Sequence, residues 1–327
     1  MRFVLSIIMP CYNVADFLDR AFNSVLQQTM TNWELIIIDD GSTDNTWEKC
    51  KAYSEKDSRV KILRQKNRGQ GAARNFALQT VRGEYVTFID ADDAFLDYNT
   101  FEVAIAYLDS HNEVDVVQFP YVRFNKRGII VPPKKLNAVL SSKKDFIEST
   151  DIVNSVAETP ILLKTAPWGK IFRSVLFREV RFPEGMVYED TFMFCELFEI
   201  TNRIAVIDKG LYGNYERDGS TTNSRPSAKK MQDKIKAFCR IHQSLYRYSD
   251  DAVKKRSFTL WLLKLVASFK GMFGKEFDVS EDIANLSKTE NFAYDRKMIY
   301  LNRIGFNRVI RLLSVYYSAK WTISSPR

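Results

Sequence analysis

WELIIIDDGSTDNT, residues 33–46, sets a mostly apolar run against two carboxylates, a glycine turn and a cluster of helix-capping side chains. A continuous apolar run is the pattern of a strand buried on both faces, as in parallel sheets. DNTWEKCKAYSEKD (44–57) then reads as a helix opened by an Asp or Asn cap. The same unit recurs on either side. VLSIIMP (4–10) is a strand followed by ADFLDRAFNSVLQQT (15–29), where Leu18, Phe22 and Val25 share a helix face. VKILRQ (60–65) and QGAARNFALQTV (70–81) repeat it, and YVTFID (85–90) adds a fourth strand. This alternation predicts a mixed, mainly parallel sheet with helices on both faces. Ligands of such sheets bind beyond the carboxyl ends of the strands, which places PCYN, DDGSTD and DADD along one edge.

The 327 residues suffice for one large domain or two smaller ones, and a hydrophobic fraction of 45% with 23 Phe supplies a core. Nine Pro and 13 Gly are too few for a fibrous or disordered chain. The net charge of +8 fits an anionic partner: nucleotide phosphates, acidic glycans, nucleic acid or a lipid surface. Cys11, Cys50, Cys195 and Cys239 are scattered, with only His111 and His242 beside them, which argues against zinc and a disulfide framework. MRFVLSIIMPCYN reads as a first strand rather than a signal peptide. The longest apolar run, SFTLWLLKLVASF, is interrupted by Lys264. The expectation is a cytoplasmic protein, soluble or at most attached to a membrane surface.

Farther along, VDVVQFPYVRF reads as one strand with GIIVPP as its partner, EDTFMFCELFEIT as an amphipathic helix and RIAVIDKGLYGNY as one long strand. From about residue 226, three basic amphipathic segments follow without strands: SAKKMQDKIKAFCRIHQSLYRYSD, AVKKRSFTLWLLKLVASFKGMF and FNRVIRLLSVYYSAKW. The boundary is set there, with 1–225 as the catalytic domain (1–100 the nucleotide-binding half, 101–225 the acceptor half) and 226–327 as a helical region.

Three acids crowd the end of YVTFID: Asp90, Asp92 and Asp93. Like charges so close raise one another's pKa unless they share a cation. Asp90 and Asp92, two apart in an extended chain, project to one side. Hard oxygen ligands without histidine suit Mg²⁺ or Mn²⁺, ions that also bind substrate phosphates. The alternative is an acidic cap for the helix NTFEVAIAYLDS. Asp39 and Asp40 read either as an Asx turn with a helix cap or as acceptors for a nucleobase N–H. NRGQGAARN supplies Arg68 and Arg74, with Gly69 and Gly71 allowing close backbone approach to a ligand. It fits neither GxxxxGK[ST] nor GxGxxG.

Taken together, SIIMPCYNVADFLDRAFNSVLQQT, WELIIIDDGSTDNT, NRGQGAARNFAL and YVTFIDADD resemble the successive signatures of family 2 glycosyltransferases. The resemblance is specific over residues 3 to about 100 and looser to about 222. It implies the glycosyltransferase A fold, a nucleotide-diphospho-sugar transferase-like arrangement, and an inverting transfer from a nucleotide sugar. By it, Pro10 and Tyr12 line the nucleotide site, Asp40 pairs with the base, Arg74 lies by the base, Asp90 lies near ribose and diphosphate, and Asp92 ligates the metal. Asp39 and Asp93 join the substrate-binding set. Glu189–Asp190 matches the family's acidic pair, with Asp190 as general base and Glu189 orienting the acceptor; the alternative is an acidic pair favoured by a helix dipole. LYGNYERDGSTTN resembles the loop that closes over the diphosphate, with Arg217 and Ser220 at its basic and hydroxyl positions. Tyr215 stands where many relatives carry another basic residue. Trp168 and Lys170 are acceptor-side candidates, with a buried Trp beside a surface Lys as the alternative.

Asp40 and Arg74 match uracil-side positions, so UDP is the expected nucleotide, with dTDP offering the same hydrogen-bonding edge. A sugar-nucleotide pyrophosphorylase would carry a Gly-rich basic signature after the first strand, and PCYNVADF has none. A non-catalytic nucleotide-sugar or glycan-binding module on this fold would lack the metal acids or the base, yet Asp90, Asp92 and Asp190 are all present. No nucleic-acid module is recognisable. The basic helices, with Trp261, Phe269, Phe273 and Trp321, suit either an anionic membrane surface or packing on the catalytic domain or a second subunit. The expected acceptor is a glycan or lipid-linked glycan of cell-surface polysaccharide assembly.

Overall fold

β1 (Leu5–Cys11) and β2 (Trp33–Asp39) are buried at every position and pair in parallel over their whole length. β3 (Val60–Arg64) extends the sheet beyond β2, and β4 (Tyr85–Phe88) lies on the other side of β1. The structure, a computed structural model, describes residues 4–131, 146–148, 164–201, 203–217, 226–288 and 307–315. The crossovers are α1 (Leu18–Leu26), α2 (Thr46–Lys56) and α3 (Gln70–Leu78). Leu18, Phe22 and Val25 of α1 are buried as their spacing predicts, and Phe22 stacks on Tyr53 of α2 with ring centroids 3.9 Å apart. Burying a side chain of this size contributes about 1.5–3 kcal/mol. Asn45 holds the cap position of α2 without a side-chain bond; Asp44 Oδ1 accepts from Thr46 N instead, at 3.0 Å.

Among the described residues the main sheet has the order β3-β2-β1-β4-β10-β6-β11-β9. β10 (Lys170–Arg173) is wedged antiparallel between β4 and β6 (Val116–Gln118). β11 (Arg203–Val206) runs parallel to β6, and β9 (Phe146–Glu148) closes the edge antiparallel. α4 (Thr100–Ser110) leads into β6, and α5 (Glu189–Ile200) into β11. A second sheet, β5-β12-β7-β8, consists of β5 (Ala94–Phe95), β7 (Tyr121–Asn125), β8 (Gly128–Val131) and β12 (Tyr212–Tyr215).

Two expected single strands are divided between these sheets. VDVVQFPYVRF breaks at Pro120, whose missing N–H cannot continue a ladder, into β6 and β7. RIAVIDKGLYGNY breaks before Gly210, which has a φ of +79°, into β11 and β12. GIIV pairs with β7 as expected.

The chain divides into two compact units, the first ending at Ser224 and the second taking up from Arg225. In the second, α6 (Ala228–Tyr248) and α7 (Ala252–Phe273) open with side-chain caps: Ser227 Oγ accepts from Lys230 N and Asp251 Oδ1 from Lys254 N. Met231, Ile235, Cys239, His242 and Leu245 form the buried stripe of α6, and His242 Nε2 meets Thr259 Oγ1 of α7 at 2.7 Å. Trp261 packs edge-on against Phe238 while remaining 44% exposed. α8 (Ser280–Lys288) and a helix over 307–315 follow; Trp321 lies outside the described residues. Among those residues no helix is long and apolar enough to cross a membrane.

Candidate active site

Parallel β1, β2 and β4 release their following loops at one edge. Asn13, at a φ of 50°, ties the first two loops together: its Oδ1 accepts from Thr43 N (2.8 Å) and its N donates to Ser42 Oγ (3.0 Å). Val14 N donates to Thr46 Oγ1 and Ala15 N to Asp44 Oδ2. The capping side chains of the second loop thus hold the backbone of the first, and Tyr12 is left 47% exposed at the edge. Pro10 faces β4 beyond the last β1–β4 pair, where no ladder bond is lost.

Asp39 is fully buried, accepts from Ser42 N (3.0 Å) and pairs with Arg64 Nε (2.9 Å). Through these bonds it fixes the turn after β2. Asp40 accepts from Gln65 Nε2 (2.7 Å), Arg68 N (2.9 Å) and Gly69 N (2.9 Å). A carboxylate has about four acceptor positions, so one remains for a ligand N–H.

NRGQGAARN does more than approach a ligand. At Gly71 an added Cβ would stand 2.6 Å from Pro183 O and 3.2 Å from Glu189 Cγ. The close approach is therefore to the segment preceding α5. Asn75 clamps that segment, donating to Phe182 O (2.8 Å) and accepting from Phe182 N (3.0 Å), and Arg68 pairs with Glu184 (2.5 Å). Arg74, 2% exposed, sits between two acids: Nη1 to Glu189 Oε1 (2.7 Å) and Nη2 to Asp90 Oδ1 (3.1 Å). Arg74, expected beside the base, thus bridges the end of β4 and the first turn of α5. Burial pushes the Glu189 carboxyl up, and Arg74 opposes the rise. Removing one partner of so buried an ion pair costs about 3–5 kcal/mol.

The DADD stretch is a turn, not extended: Asp93 N donates to Asp90 O at 2.9 Å. Asp90 Oδ1 also accepts from Gln70 Nε2 (3.0 Å). Burial raises the Asp90 acid, Arg74 opposes, and the charges of Asp92 and Asp190 add to the rise. Asp92 Oδ2 lies 2.5 Å from Arg217 Nε, and its backbone carbonyl accepts from Arg20. Asp93 is fully buried and saturated by Tyr212 Oη (2.7 Å), Tyr215 N (2.7 Å) and Asn214 Nδ2, which donates to both of its oxygens (3.2 and 3.3 Å). Burial, then Asp90 and Asp92, push its acid well up. These bonds anchor β12 to the turn.

Tyr188, at a φ of 67°, turns the chain into α5 so that Glu189 and Asp190 form its first turn. A non-glycine residue in this conformation carries strain of about 1–2 kcal/mol. Asp190 Oδ1 accepts from Thr191 N at 2.7 Å. Trp168 stacks on Tyr212 (5.1 Å, 5°) and meets Tyr121 edge-on (5.3 Å). Lys170 is no surface residue. It is fully buried, donates from Nζ to Ala166 O (2.8 Å), and lies 5.3 Å from the ring of Phe194, one turn beyond Asp190. Burial pulls its ammonium down to about 7, with Asp190 opposing. Ser220 lies outside the described residues.

Among the described residues no three acidic, His or Cys side chains converge on one point. Asp92 is the residue that would hold a Mg²⁺ or Mn²⁺ ion, a hard cation that takes oxygen ligands. Asp92 fits: its side chain is 17% exposed and already draws a cation.

Residues 6–166 match the family profile described as Glycosyl transferase family 2. Those residues, just under half of the chain, belong to that family. EpsJ of Bacillus subtilis, an uncharacterized glycosyltransferase, is 30% identical over 224 residues, 67% of this chain and 63% of EpsJ. Glycosyltransferase GlyA of Streptococcus pneumoniae is 29% identical over 217 residues, 66% of this chain and 31% of GlyA. The chain thus spans less than two thirds of the length of either. The solved structure of Staphylococcus aureus TarS, residues 1–349, in complex with UDP-GlcNAc matches with a TM-score of 0.72 and 23% identity, over 99% of this chain and 93% of that one. That likeness establishes the glycosyltransferase A fold.

Several residues of this family 2 site escaped the sequence reading. Asn13, Arg20, Asn75 and Tyr212 act on backbone or on buried acids, and nothing in their spacing marks that use. Gln70 was within reach of pattern, four residues before Arg74 on one helix face and bonded to the same Asp90 oxygen.

Proposed function

We propose that the chain is an inverting, divalent-cation-dependent glycosyltransferase that moves a sugar from a nucleotide sugar, a UDP-sugar first, to a hydroxyl of a glycan or lipid-linked glycan. The observation that carries this reading is the Arg74 bridge between Asp90 and Glu189. It locks the end of β4, where a diphosphate would lie, to the first turn of α5, where Asp190 stands. The complex of TarS with UDP-GlcNAc supports the choice of donor class, as does that protein's description as a poly(ribitol-phosphate) beta-N-acetylglucosaminyltransferase. The mannosyltransferase from Pyrobaculum calidifontis, solved with GDP-Man and Mn²⁺, supports the cation.

In this reading the open position of Asp40 accepts the imide N–H of uracil, and Tyr12 flanks the base. A Mg²⁺ or Mn²⁺ ion held by Asp92 supplies positive charge to the departing diphosphate. Asp190 takes the proton of the acceptor hydroxyl as its oxygen attacks the anomeric carbon opposite the leaving group. The new C–O bond forms while the bond to the diphosphate oxygen breaks, so configuration inverts. Glu189, held by Arg74, orients the acceptor, and the half-buried ring of Trp168 offers it an apolar face. Exposed Trp261 (44%) and Val253 (73%) on the basic α7 support peripheral attachment to an anionic membrane face, where a lipid-linked acceptor would be met.

The test is Asp190→Asn with a panel of UDP-hexoses and UDP-N-acetylhexosamines, following UDP release in the presence of Mn²⁺. A positioned base contributes about 10²–10⁴-fold, so release falls by that factor while UDP binding is retained. Undiminished release in Asp190→Asn contradicts the assignment of the base.

A further inference from the structure

Arg217 carries more than the diphosphate contact expected of it. Its Nε stands 2.5 Å from Oδ2 of Asp92, the carboxylate read above as the divalent ion's ligand. The other acids of the turn are served differently. Asp90 and Glu189 share Arg74, and Asp93 is saturated by the hydroxyl of Tyr212, the amide of Asn214 and the backbone N–H of Tyr215. Asp92 is the member of the cluster whose carboxylate takes its cation from the β12 side. The surroundings hold the pair without sealing it. Phe17 of α1 lies 5.2 Å from the guanidinium of Arg217, and Arg20, stacked 3.9 Å from the ring of Tyr215, grips the backbone carbonyl of Asp92. The carboxylate is thereby fixed by its backbone, whereas both side chains of the pair stay accessible, at 17% and 26%.

We infer that Arg217 is a placeholder cation: in the free enzyme its guanidinium occupies Asp92, and it yields that carboxylate when the divalent ion arrives with the nucleoside diphosphate. This rests on the reading of Asp92 as the ion's protein ligand. A guanidinium and a divalent ion drawn to the same carboxylate repel each other, so the two compete for it. A nucleoside diphosphate favours the exchange twice over, by supplying phosphate oxygens to the ion and by giving the displaced guanidinium a new anion. Arg217 therefore opposes the ion in the empty site and assists it in the loaded one. The device keeps the acid cluster neutralised between turnovers and makes ion capture depend on the donor.

The test is Mn²⁺ titration, read by the electron paramagnetic resonance signal of free Mn²⁺, on wild type, Arg217→Met, Arg217→Gln and Asp92→Asn. Each is measured alone and with saturating UDP. If Arg217 holds Asp92 in nine molecules of ten, freeing the site tightens Mn²⁺ binding about tenfold. Both Arg217 variants are thus expected to bind Mn²⁺ about tenfold more tightly than wild type without UDP and several-fold more weakly with it. That change of sign is one a purely structural role of Arg217 would not produce. Arg217 variants that bind Mn²⁺ no more tightly than wild type in the absence of UDP overturn the exchange. If that happens while Asp92→Asn still abolishes binding, the ion site stands and the placeholder alone fails. If Asp92→Asn binds Mn²⁺ as wild type does, the ion site itself is wrong and the exchange falls with it.

Discussion

Lys170 enters the site from a strand flanked on both sides by buried residues, and its ammonium has no water to fall back on. Its proton is held with a pKa of about 7 in the folded protein against 10.5 in the unfolded chain. Below about pH 7 both states are protonated and the fold bears the whole cost of burial. Between 7 and 10.5 only the unfolded chain keeps the proton, so stability rises with pH across that window. Lys170→Met is therefore expected to be more stable than wild type near pH 6, by about 1–4 kcal/mol. The gain should shrink as pH approaches 10, as followed by scanning calorimetry; a gain independent of pH would mean the amine is not desolvated. The charge of Asp190, Arg74 and the three acids after β4 was legible because charge at a strand end is conspicuous. What each one touches was not. Asp39 and Asp93 read as substrate-binding acids and Lys170 as an acceptor contact or a surface group, and only tertiary packing reveals a carboxylate saturated by a tyrosine, an asparagine and a backbone N–H.

α3 shows what one helix can do when its first turn lies flush against another segment. The atom an alanine would add at position 71 falls 2.6 Å from a backbone carbonyl, which cannot step aside as a flexible side chain could. Gly71→Ala is expected to lower stability by about 1–3 kcal/mol and to loosen the Arg74–Glu189 pair. Thermal unfolding checks the first effect, and UDP release at saturating donor checks the second. At this scale the first four strands and three helices could be read from periodicity, since parallel buried strands and amphipathic helices carry opposite patterns. β10 could not: KIFR is four residues long, inserts antiparallel, and has no repeat by which to recognise it. The division of two apolar runs between sheets hung on Pro120 and Gly210, each a common residue with many uses.

Across the molecule, the first unit collects the loops after β1, β2 and β4 and the first turn of α5 around one sheet edge, joined by Arg74, Asn75 and Tyr212. The described residues of the second unit are mostly helical, and nothing in its sequence announces an acceptor. Everything proposed for the reaction depends on the acids after β4 serving a nucleoside diphosphate and its cation. The most direct measurement is titration calorimetry of UDP, dTDP and GDP into wild type and Asp92→Asn, with Mn²⁺ and with EDTA. Binding of UDP, or of dTDP through the same base edge, is expected with Mn²⁺ and should weaken at least about tenfold, some 1.4 kcal/mol, in EDTA and in Asp92→Asn. Folded protein that binds no nucleotide, or binds equally well without cation and without Asp92, would contradict the account.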